Sequence, residues 1–70
     1  MIPLGMAAVG ETGSIQKITG RDDVRQHLAE LGFVVGEQIT VVSELGGNMI
    51  LSVKDSRVAI DRTMAMRVMV

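Results

Sequence analysis

Between Gly32 and Gly36 the hydrophobic period of this chain changes, and that change limits the folds open to it more than any other feature. In RDDVRQHLAELG, Val24, Leu28 and Leu31 fall at i, i+4 and i+7, which is one face of a helix of about two turns. Asp23 is placed to cap that helix, with Gln26 three residues on. Gly32 follows the last apolar position, where a left-handed residue ends a helix without a Cβ clash. After Gly36, EQITVVSE alternates: Ile39 and Val41 share one face and Thr40 and Val42 the other. The apolar triplet Phe33-Val34-Val35 therefore joins a helix to a strand, with Phe33 turning inward or plugging the end of the core and Gly36 supplying a second bend.

The rest of the chain reads as more short strands. GETGSIQKITG carries Ile15, Ile18 and Thr19 between glycines and predicts a first strand, and its apolar spacing of three predicts a bulge or a curve in it. LGGN is a turn, NMILSVK alternates Met49, Leu51 and Val53 outward from it, KDSR is a second turn, and RVAID places Val58 and Ile60 on one face. MRVMV closes the chain as a further strand. Five short strands and one short helix follow. A flat sheet of that size would expose two unpaired edges, whereas curling into a small barrel removes most of that liability and lets the helix cap one open end. The expected fold is mainly β, one barrel domain over residues 1–70.

Seventy residues bury only about 60% of the surface the unfolded chain exposes, so the core must be small. It is aliphatic: hydrophobic residues are 47% of the chain, and Phe33 is the one aromatic. With no cysteine, disulfides, thiolate metal sites and thiol chemistry are absent together, as suits a reducing cytosol. The start, MIPLGMAAVGETG, shows neither a basic leader nor an apolar run long enough for a membrane span, so a soluble chain without membrane insertion is expected.

Seven Lys plus Arg against eight Asp plus Glu give a net charge of -1, which offers phosphate backbones no positive field, and one aromatic cannot provide a base-stacking platform. No nucleic-acid partner is expected, and Arg57, Arg62 and Arg67 read as solvated strand and turn residues. The lack of Tyr and Trp also removes a groove for proline-rich peptides. A nucleophile needs a base and an orienting group, but there is one histidine and no cysteine, so the chain is not expected to be an enzyme. His27 has only Asp23 and Glu30 as helical neighbours that could share a cation, and the six methionines read as core filler. GETG and LGGN lack the lysine and following helix of a phosphate-binding loop. No cofactor and no metal ligand set is expected.

The run KITG followed by RQHLAELGFVVGEQITVV, a glycine-rich hairpin and SRVAIDRTMAMRVMV closely resembles the FeoA family, small SH3-like barrels associated with ferrous iron uptake. The resemblance extends from Leu4 and Gly10 to Val70 and is most specific in RQHLAELGFVVGEQITVV. Two positions depart from the family pattern: Val35 stands before Gly36 where proline is usual, and Asp61 stands where a basic residue is common. Either change would alter a contact surface rather than the fold. The resemblance implies a cytoplasmic accessory protein, linked at family level to transition metal ions, that binds the cytoplasmic region of the FeoB transporter, including its G-protein domain, and modulates Fe(II) uptake. The alternative it implies is a free-standing relative of the SH3-like regulatory domain of iron-dependent repressors, acting by protein-protein contact.

A barrel this small carries more apolar side chains than one interior holds, so exposed aliphatics near the helix and the FVVG turn are the expected partner contacts: Leu28, Phe33, Val34 and Val35. Leu28 belongs to that surface and, by its period, to the core as well. An open edge strand leaves a weak homo-oligomer as a further expectation.

Overall fold

The computed structural model describes every residue from Met1 to Val70. It contains six strands, β1 (Thr12–Ser14), β2 (Lys17–Ile18), β3 (Gln38–Leu45), β4 (Asn48–Val53), β5 (Ser56–Asp61) and β6 (Val68–Met69), with helices α1 (Asp22–Glu30) and α2 (Arg62–Ala65) and a 3₁₀ turn at Leu4–Met6. β1, β3, β4 and β5 form one antiparallel sheet in the order β1-β3-β4-β5, and β2 pairs with β6 in a second.

The meander β3-β4-β5 follows directly from the two-residue period. Ile39, Val41, Met49, Leu51, Val53 and Ile60 all point into the core. Gly46 and Gly47 both have positive φ, the geometry a two-residue hairpin needs to match strand twist, and Leu45 pairs with Asn48 across them. Val42 opposes no residue of β4, because pairing steps from Val41 with Leu51 to Ser43 with Ile50. That bulge bends β3 around the core.

The single curved strand expected at GETGSIQKITG is in fact two strands in different sheets. At Ile15 and Gln16 the chain crosses over: Ile15 N–H donates to the Glu37 carbonyl at 2.9 Å, and Gln16 N–H donates to the Met69 carbonyl at 2.7 Å. Buried Ile15 is thus the hinge by which the sheets close on one core, and the spacing of three is the signature of that crossing.

The chain ends also differ from expectation. Leu4 and Ala7, separated by the spacing of a 3₁₀ turn, are buried. Gly5 lies so close to α2 that a Cβ there would meet Met66 Sδ at 2.6 Å and the Arg62 carbonyl oxygen at 3.1 Å. The expected last strand begins two residues later, at Val68, because RTMA forms the one-turn helix α2. Ile2 and Val70 exchange two backbone hydrogen bonds of 2.8 Å, which fastens the N-terminal segment to the C-terminal one.

Candidate functional site

α1 starts two residues earlier than the sequence suggested. Arg21 occupies the cap position and provides no side-chain cap, while Asp23 lies in the first turn. The Asp23 carboxylate instead accepts from the Arg21 guanidinium at 3.2 Å and from the Val24 N–H at 2.9 Å. Those bonds, the arginine's first, hold its pKa below the usual carboxylate range. His27 is exposed, and no three His, Cys, Asp or Glu side chains converge anywhere in the structure.

The end of α1 explains the Leu28–Gly36 stretch. Gly32 N–H donates to the Ala29 carbonyl and Phe33 N–H to the Leu28 carbonyl, each at 3.0 Å, with Gly32 at φ +104°. This is the Schellman arrangement, whose usual companion is an apolar contact between the residues in the Leu28 and Phe33 positions. Both are fully buried here, at 0% and 1% exposure. They offer a partner almost no surface, and in the expected contact surface they are buried support rather than exposed contacts: the helix period and the Schellman contact both draw them inward. Val34 and Val35 remain outside, at 37% and 66% exposure. Leu31 and Val24 are half-buried against the core.

Val34 and Val35 line an open groove together with Gln16, Lys17, Ile18, Arg25, Ala29 and buried Phe33. Arg25 and Ala29 are one helical turn apart on α1, so they face the same way. On the opposite wall runs β2. The site thus lies between a helix and a strand, lined by five apolar side chains, two cations and Gln16.

Of the three arginines read as solvated, Arg62 is structural. Its guanidinium donates to the Gly5 carbonyl and to Glu44 at 2.5 Å, and its backbone N–H reaches the Gly47 carbonyl at 3.2 Å. It joins the 3₁₀ turn, β3 and the β3-β4 hairpin. Asp61, one of the two departures noted in the sequence, caps α2 by accepting from the Met64 N–H at 2.7 Å.

A model of the FeoA domain family matches residues 2–70. The chain belongs to the FeoA family. It is 36% identical over 70 residues, all of this chain and 85% of the relative, to a protein of Methanocaldococcus jannaschii named as an Fe(2+) transport protein A. A crystal structure of an iron uptake regulatory protein, FeoA, superimposes with a TM-score of 0.89 at 32% identity, covering 96% of this chain and 91% of the other. FeoA of Stenotrophomonas maltophilia, solved with zinc and described as a prokaryotic SH3 domain protein, gives a TM-score of 0.84 at 25% identity over 99% and 88% of the two chains. The expected SH3-like barrel is the observed FeoA fold. A manganese-dependent transcriptional repressor also superimposes, with a TM-score of 0.85, but at 17% identity and over 38% of its length, which shows the fold alone. No helix of this FeoA domain is long and apolar enough to cross a membrane.

Proposed function

We propose that this FeoA-family chain is a cytoplasmic, non-enzymatic accessory protein of ferrous iron transport that binds the cytoplasmic region of a FeoB-type transporter and modulates Fe(II) uptake. What supports the reading is family membership across residues 2–70 and the naming of its relatives for Fe(2+) transport and iron uptake. The observation that carries the contact surface is the exposed pair Val34–Val35, held by a turn whose own anchors, Leu28 and Phe33, are buried beneath it. A rigid base under an apolar rim is what a binding site needs, because little side-chain freedom remains to be lost on association.

Val35→Glu tests this. The side chain is exposed, so a charge there costs the free domain almost nothing, yet it would be trapped without a partner in an apolar interface. The variant should melt like the parent and fail to restore Fe(II) uptake in cells lacking the native protein. Full uptake by the folded variant would remove this surface from the mechanism. If the parent chain restores no uptake, the accessory reading itself falls, and a free-standing counterpart of the repressors' regulatory domain becomes the better account.

A further inference from the structure

The groove between β2 and α1 has properties that an apolar contact patch alone does not require. β2 is hydrogen-bonded on one side only, to β6. Thr19 N–H donates to the Arg67 carbonyl at 2.7 Å, and in an antiparallel pair the residue before such a donor turns its own N–H and C=O the other way. Ile18 therefore presents an unpaired donor and acceptor away from β6. Three consecutive residues, Gln16, Lys17 and Ile18, line the groove, although neighbouring side chains of a strand point to opposite faces. The groove consequently runs along the strand's edge rather than over its face.

The charge on its walls is one-sided. Lys17 and Arg25 are the only charged lining residues, in a chain whose net charge is -1. Arg25 meets Asp22 at 3.3 Å in an exposed pair, a weak contact that a second carboxylate can share. The rest of the lining is neutral Gln16 and the apolar Ile18, Ala29, Phe33, Val34 and Val35.

We infer that this groove binds an extended acidic segment, which adds a strand to the free edge of β2, sets an apolar side chain against Ala29, Val34 and Val35, and places a carboxylate between Lys17 and Arg25. Main-chain pairing with Ile18 gives the segment its direction, and the two cations select its charge. The inference rests on the accessory reading in locating the partner contact at this surface, and it adds the chemistry of what is bound.

Short random peptides displayed on phage and selected against the immobilised full-length chain test it. Selected sequences should alternate apolar residues with Asp or Glu, and a synthetic copy of one should shift the Ile18 amide resonance and protect it from exchange. The double charge reversal Lys17→Glu with Arg25→Glu changes two exposed residues and should weaken that peptide by about tenfold or more. Selection of neutral or basic sequences, no selection at all, an unaltered Ile18 amide, or binding that survives the double reversal overturns the inference. The uptake assay keeps the two readings apart. A parent chain that restores uptake but selects no acidic peptide removes the groove's assignment alone, whereas one that selects acidic peptides but restores no uptake removes the accessory reading alone.

Discussion

Asp61 shows how one carboxylate decides whether four residues become a helix. RTMA is too short to be stable on its own, and the bond from Met64 N–H to Asp61 satisfies a donor that would otherwise lack a partner at its start. Asp61→Ala should therefore cost about 1 kcal/mol and lower the melting temperature by about 4 to 8 °C, while Asp61→Asn, which keeps an accepting oxygen, should recover most of the loss. Asp23 gives a second measurable residue. Its folded-state pKa is depressed by Arg21 and by the Val24 N–H, so its contribution to stability is present above the pKa of the unfolded chain and is lost as pH falls through the folded value. A carboxyl-carbon NMR titration should find Asp23 below the usual Asp range. Arg21→Ala should move it upward, and added salt should narrow the difference, because both side chains are exposed.

The helix and its ending carry the sharpest test at the next scale. Leu28→Ala empties a fully buried position and should cost about 2 to 5 kcal/mol. Leu31→Ala, at a half-buried position, should cost less, and Val35→Ala close to nothing. Gly32→Ala should cost about 1 to 2 kcal/mol, since it forces a side chain into the left-handed region. Urea denaturation of the four variants gives the order directly; Leu31 matching Leu28 would mean that α1 is rotated about its axis. The strands β3 to β5 were legible in the sequence because a period of two and glycine or Lys-Asp turns mark them out, although the bulge at Val42, which shifts the β3–β4 register, was not. Gly32 was legible for a similar reason, since helix ends have few chemistries. α2 and the 3₁₀ turn were not, because one turn of helix shows no period; their only traces are Asp61 ahead of RTMA and the Leu4 to Ala7 spacing. The candidate surface was half legible. Helical spacing placed Leu28 on the core face, but the apolar triplet alone could not tell Phe33, drawn in by the Schellman contact, from Val34 and Val35, which remain outside. The groove had no sequence signal, since β2 and α1 meet there through the crossing at Ile15.

Over the whole molecule, the packing is aliphatic apart from Phe33, and the polar side chains are dispersed over the surface. All the buried side chains are apolar, and no three His, Cys, Asp or Glu side chains gather. Anaerobic titration with Fe(II) by calorimetry should accordingly detect nothing tighter than weak carboxylate binding; a stoichiometric site of low micromolar affinity, lost in His27→Ala, would contradict this. The pairing of Ile2 with Val70 bears on how the molecule forms in time. Two hydrogen bonds join residues separated by nearly the entire chain, so the search that brings them together is the least local step in folding and follows the hairpins, whose partners are only a few residues apart. On that argument the two ends close over a middle already formed, and pulsed hydrogen exchange during refolding should protect the amides of β3 to β5 before those of Ile2 and Val70.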